Sequence, residues 1–142
     1  VASADNVGGI FRNAAAFGAG AVLLDPMSTD PLYRKAIRTS MGAALLVPFA
    51  RMDAAAVVLR ELRAGGFATI AMTPAASAST IRSTREAVGG RPVAIALGHE
   101  GEGLSVAALE ACEHRARIPI ASTVDSLNVA AAAAGALYEF SR

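Results

Sequence analysis

The sequence is poor in several residue types, and each shortage narrows the reading. It holds one cysteine, Cys112, in 142 residues. A disulfide framework is therefore excluded, and a reducing cytoplasm fits best. Tryptophan is absent and aromatics make up 5% of the chain, so a core must be built mainly from aliphatic and small residues. No apolar run approaches the roughly 18 to 20 residues that a membrane span needs. No basic-then-apolar leader is visible. The first residue is Val rather than Met, which suggests that upstream sequence is missing. The two histidines, His99 and His114, have no metal-ligand spacing with Cys112 or with each other, so no metal site is expected. Lysine occurs once, as Lys35, among thirteen basic residues. The other basic residues are Arg, which suits bidentate phosphate contacts better than Lys does. The formal net charge is +1, which does not point to or away from nucleic acid, since distribution outweighs the sum.

The chain does have a 54% apolar composition arranged in alternating short apolar runs and amphipathic stretches. Helices are expected at 5–18, 31–41, 53–62, 104–113 and 127–140. Strands are expected at 21–24, 45–49, 67–72, 92–97 and 115–118. Asp5 or Asn6 serves as the first N-cap, Gly18 as a helix stop and Asp53 as a later cap. Residues 77–85 read as a Ser/Thr-rich loop with some helix. The alternation predicts one α/β domain with a parallel sheet flanked by helices on both faces.

Chemistry concentrates in three stretches. In Asn6-Val7-Gly8-Gly9-Ile10-Phe11-Arg12, two glycines sit inside a first helical turn. Each costs up to ~1 kcal/mol against Ala, so either another backbone or a ligand comes close there. Leu97-Gly98-His99-Glu100-Gly101-Glu102-Gly103-Leu104-Ser105 lies between a strand and a helix. It matches neither a Walker A loop nor a dinucleotide fingerprint. Its two carboxylates would repel a phosphate, so it favours a cationic or hydrogen-bond-donating ligand. In Ile118-Pro119-Ile120-Ala121-Ser122-Thr123-Val124-Asp125-Ser126-Leu127-Asn128, a strand ends at a proline and a polar loop leads into an alanine-rich helix. Strand ends followed by helix starts are where open α/β sheets bind ligands, although Ser126 could equally be a helix cap.

Together and in this order, the stretches resemble the three signature motifs of the SpoU (TrmH-like) branch of the SPOUT methyltransferases. Asp30 to Ala36 and Ser40 to Ala43 resemble the segment which that family places after its first strand. The resemblance implies a C-terminal catalytic domain over 1–142, with an N-terminal substrate-binding domain missing. It implies an α/β fold closed by a C-terminal trefoil knot, a homodimer, S-adenosylmethionine as cofactor, no metal, and transfer of a methyl group to a ribose 2′-hydroxyl of rRNA or tRNA. By motif match, Leu97, Gly98, Gly101, Ile118, Ile120 and Leu127 would line the cofactor site. Asn6, Arg12, Glu100, Ser126 and Asn128 would surround the reacting centre. Arg12, with Arg34, Lys35 and Arg38, would meet the RNA, and the small residues of the last helix would allow close approach in a dimer. The family assigns Arg12 a part in deprotonating the hydroxyl. A guanidinium stays protonated in proteins, so clamping a phosphate and stabilising alkoxide charge is the chemically easier role. Two rival readings use the same residues: a non-catalytic RNA-binding module on this scaffold, and a Rossmann-type nucleotide binder.

Overall fold

The computed structural model describes residues 1–141. It contains two compact units: Val1–Asp53 with the segment from Val129 onward, and the continuous stretch Ala54–Asn128.

The first unit begins with α1 (Ala4–Ala16). The N-cap is Ser3, whose Oγ accepts the Asn6 amide at 3.3 Å. This replaces the expected Asp5 or Asn6 cap. Asp5 is released to bind α2 (Arg34–Thr39), where its carboxylate accepts from Thr39 Oγ1 at 2.9 Å and pairs with Lys35 Nζ at 3.3 Å. These partners hold the Asp5 carboxyl below its usual range. Gly18 follows the last turn with φ +73°, as expected of a helix stop.

β1 (Val22–Leu24) pairs in parallel with β2 (Phe49–Arg51), Leu23 opposite Ala50. The second strand starts four residues later than expected because Gly42, at φ +83°, opens a 3-10 turn over Ala43–Leu45. Ser40 Oγ accepts the Ala44 amide there at 3.2 Å. α2 is also shorter than expected at its start: Asp30 Oδ1 accepts the Leu32 amide at 2.9 Å and holds 30–33 as a turn. Val7, Phe11, Ala14, Leu24, Ala44 and Val47 form the core, and Phe11 meets Phe49 edge to face at 5.7 Å.

α6 (Val129–Phe140) joins this unit. It packs on α1, burying Ala133 and Ala136. Asn13 Nδ2 donates to the Ala130 carbonyl at 2.9 Å, and Phe17 stacks edge to face on Tyr138 at 6.0 Å. The alanine-rich face is thus covered by a helix of the same unit.

The second unit is built on a four-stranded parallel sheet in the order β4-β6-β3-β5: Ser79–Thr80, His114–Arg117, Ala68–Met72 and Val93–Ala96. Ile70 faces Ile95 on one side and His114 on the other. Ala68 to Ala71 are buried without interruption, the pattern of a central parallel strand. α3 (Ala55–Ala64) and α5 (Val106–Ala111) pack Leu59, Ala108 and Ala111 against Ala71 and Cys112. α3 starts at Ala55 after Ala54, without the expected side-chain cap from Asp53. α5 is trimmed at both ends, because Ser105 caps it and Cys112 is already extended.

α4 (Ile81–Val88) and the short β4 occupy the region expected to be mainly loop. Thr80 caps α4 through the Ser83 amide at 3.2 Å, and Ile81, Thr84 and Val88 form its buried face. Among the described residues the strands therefore number six in two parallel sheets, one per unit, rather than the expected five in one. No helix among the described residues is long and apolar enough to cross a membrane.

Candidate functional site

In a parallel sheet all strands end at the same edge, and in the second unit that edge carries the loops after β5 and β6, both neighbours of β3. Leu97 and Gly98 directly follow β5 and Ile118 and Ile120 closely follow β6 at that edge, while Glu100 and Gly101 lie further along the first loop and Ser126, Leu127 and Asn128 further along the second.

The loop after β5 is a closed ring. His99 N–H donates to Gly103 O at 3.2 Å, and Gly103 N–H donates back to His99 O at 2.9 Å. Gly98 fits under this clasp only because it lacks a side chain: a Cβ there would lie 2.3 Å from the Gly103 carbonyl carbon and 2.4 Å from the Leu104 nitrogen. Gly103 itself has φ +71°, which L side chains rarely adopt. Gly98 and Gly103 are thus explained by the loop's own closure, whereas a Cβ on Gly101 would meet only His99 Nδ1 at 3.8 Å. The Gly101 amide donates to His99 Nδ1 at 3.2 Å, and His99 Nε2 stands 3.9 Å from Glu100 Oε2. Ser105 Oγ then caps α5 through the Ala108 amide at 3.2 Å.

The loop after β6 has a different character. Arg117 Nε holds its base by donating to Ala78 O at 3.1 Å. Ile118 and Ile120 are half-buried, and every residue from Ala121 to Asn128 is exposed. Val124 and Leu127 are 51% and 42% exposed, so the loop offers apolar side chains and backbone polar groups to the same solvent-facing space. α6 starts at Val129, so Ser126 lies three residues ahead of it and is not its N-cap. Asn128 directly precedes the helix.

The remaining sequence-predicted residues belong to the first unit. Arg12 is exposed on α1 and Asn6 is half-buried in its first turn. Arg34, Lys35 and Arg38 are exposed on α2, with Lys35 paired to Asp5. The close approach implied by Gly8 and Gly9 is helix packing. A Cβ on Gly8 would meet Thr39 Cβ at 2.7 Å and Ala36 O at 2.8 Å, and one on Gly9 would meet Ala130 Cβ at 2.9 Å. Cys112 is buried, and desolvation pushes its thiol up to about 11. At the opposite end of β6, Arg91 pairs with Glu113 at 2.9 Å and holds that carboxyl below its usual range. No group of three or more metal-ligating side chains comes together among the described residues.

Two residues have local roles that the sequence pattern does not assign them. Asp5 has the sequence signature of a cap but serves α2 instead, through Thr39 and Lys35. His99 lacks metal-ligand spacing, and its role is the side-chain-to-backbone turn with the Gly101 amide two residues on.

In open parallel α/β sheets ligands bind at the carboxyl edge, which here carries the glycine ring and a long exposed loop. The SpoU rRNA methylase family model matches residues 1–138, and the chain belongs to that family. It is 46% identical over 138 residues to an uncharacterized tRNA/rRNA methyltransferase of Mycobacterium bovis, covering 97% of this chain and 48% of that protein. Among solved structures, the AdoMet-bound rRNA methyltransferase from Sinorhizobium meliloti superposes with a TM-score of 0.87 at 32% identity, covering 97% of this chain and 51% of that one. A protein described as an RNA 2′-O ribose methyltransferase gives 0.85 at 34%, covering 99% of this chain and 52% of that one. The chain spans about half the length of these relatives.

Proposed function

We propose that this chain is the catalytic domain of a methyltransferase that uses S-adenosylmethionine to methylate a ribose 2′-hydroxyl of rRNA or tRNA, acting in the cytoplasm as a homodimer with a knotted C-terminal segment. The observation that carries the reading is the carboxyl edge of the β3–β6 sheet in a chain matched by the family over 1–138. A nucleoside needs apolar surface for the base and hydrogen-bonding groups at its rim. Leu97, Ile118, Ile120 and Leu127, beside the exposed backbone of 121–128, suit that need. Glu100 and Glu102 in the glycine ring suit a ligand with positive charge better than a polyphosphate. Gly98 would act by keeping the ring closed, and Gly101 would offer its backbone at the apex.

When bound, S-adenosylmethionine supplies a methyl group already activated by its sulfonium. The protein's tasks are then to align an oxygen behind that methyl and to manage one proton. In this reading Arg12 clamps the phosphate beside the target ribose and stabilises developing alkoxide charge. Glu100, Ser126 and Asn128 orient the ribose, and by motif match Asn6 belongs to the same reacting centre. Arg34, Lys35 and Arg38 add RNA contacts, with Lys35 partly neutralised by Asp5.

Calorimetry with S-adenosylmethionine tests the cofactor, and a folded protein that binds none would defeat the reading. Mass mapping of methylated nucleosides in RNA from a deletion strain tests the reaction and names the substrate. Single-turnover kinetics of Arg12→Ala tests the role of Arg12. A loss confined to RNA affinity, with methyl transfer intact, would remove Arg12 from the chemistry.

A further inference from the structure

We infer that His99 is a positioning residue: its imidazole braces the apex of the Gly98–Gly103 ring and stands against the Glu100 carboxylate. The inference rests on the methyltransferase reading for its functional consequence, but the brace itself is a property of the loop.

The reciprocal backbone bonds between His99 and Gly103 close only the base of the ring. The apex, Glu100 to Glu102, is exposed and includes a glycine, so the clasp alone leaves it many conformations. The apex amide, Gly101 N–H, donates to His99 Nδ1 at 3.2 Å. A donor at Nδ1 places the proton of the neutral ring on Nε2. That nitrogen faces Glu100 Oε2 at 3.9 Å, too long for a direct hydrogen bond but close enough to bias the carboxylate. One ring thus fixes an apex amide with one nitrogen and stands against a carboxylate with the other. Asn at this position could supply an oxygen near the place of Nδ1 and form the same turn. It could not reach Glu100 as the far side of the imidazole does. Ala can do neither.

The experiment compares His99→Ala and His99→Asn with the wild-type protein in three readouts: hydrogen exchange of the Gly101 amide, S-adenosylmethionine affinity by calorimetry, and turnover at saturating cofactor. His99→Ala should speed Gly101 exchange and weaken cofactor binding, each about tenfold, the effect of losing one hydrogen bond. His99→Asn should restore both to within about twofold, while turnover stays below wild type. Wild-type exchange and affinity in His99→Ala, or no rescue by Asn, would overturn the brace. Full turnover in His99→Asn would overturn the link to Glu100. If the wild-type protein binds no S-adenosylmethionine, the methyltransferase reading fails, and Gly101 exchange still decides whether His99 braces the ring.

Discussion

Replacing Gly8 with Ala sets two effects of similar size against each other, and the structure says which wins. Gly8 lies inside α1, where Ala is the better helix former by up to ~1 kcal/mol. The added methyl, however, would sit 2.7 Å from Thr39 Cβ, 2.8 Å from Ala36 O and 3.1 Å from Ser40 N. Two of those three atoms are α2 or post-α2 backbone, and Ala36 and Ser40 are 0% and 1% exposed, so neither can swing aside. Relief requires α2 to move away from α1, which strains the bonds from Asp5 to Thr39 and Lys35. Forcing a methylene into such a contact costs about 1–3 kcal/mol. The net change expected is a loss of about 1–2 kcal/mol, lowering Tm by about 2–8 °C for a chain of this length. Urea denaturation should show the loss as a lower midpoint with an unchanged slope. Gly90→Ala is the control: a Cβ there meets nothing within 4 Å and the residue has no positive φ. It should fall within about 0.5 kcal/mol of wild type. A Gly8→Ala protein as stable as wild type would refute the claim that α1 and α2 are in backbone contact.

Gly9→Ala should also destabilise, but through a methyl on α6, since its Cβ would lie 2.9 Å from Ala130 Cβ. Adding Ala130→Gly should recover part of the loss, and a double mutant less stable than both singles would contradict that contact. Gly98→Ala places a methyl 2.3 Å from ring backbone. It should abolish S-adenosylmethionine binding while circular dichroism stays native, and retained affinity would show that the ring can open at no cost. Cys112, with its thiol pushed up to about 11 by burial from an ordinary 9.0, should resist alkylation at pH 8 until the protein is unfolded. Because the folded state holds that proton more tightly, its contribution to stability is complete below about pH 9 and is lost as pH rises towards about 11. Rapid labelling of the native protein would refute the burial.

The elements that could be read from sequence are those whose pattern survives without context. α1 is legible as a helix, although spacing suggests Ile10, Ala14 and Phe17 as its apolar face and the buried residues are Val7, Gly8, Phe11 and Ala14; β3 is legible as an apolar run, buried from Ala68 to Ala71. α4 reads as mostly loop in sequence because Thr84 fills a core position between Ile81 and Val88, so the helical period is hidden behind a polar letter. Leu45-Leu46-Val47 looks like a strand, yet Leu45 and Leu46 are 64% and 80% exposed beside a left-handed Gly42. At the site, motif order identified the family and picked out the two edge loops. The glycines were visible, but whether they served backbone or ligand depends on neighbours distant in sequence. Gly8 and Gly9 answer to α2 and α6, and Gly98 answers to Gly103.

The pairing of α6 with α1 has a consequence for how the protein is made. The partners of α1 at Gly9 and Asn13 include Ala130, more than a hundred residues downstream. A ribosome therefore releases α1 long before α6 exists: the Val7–Phe11 face can pack within 1–53, but the side at Gly9, Asn13 and Phe17 waits while the whole of 54–128 is synthesised. That central stretch has its own parallel sheet and its own core and can form during the interval, whereas the first unit must wait for its second segment. Early termination or C-terminal clipping would be felt at the opposite end of the sequence, as a first helix exposed on that side and prone to chaperone capture.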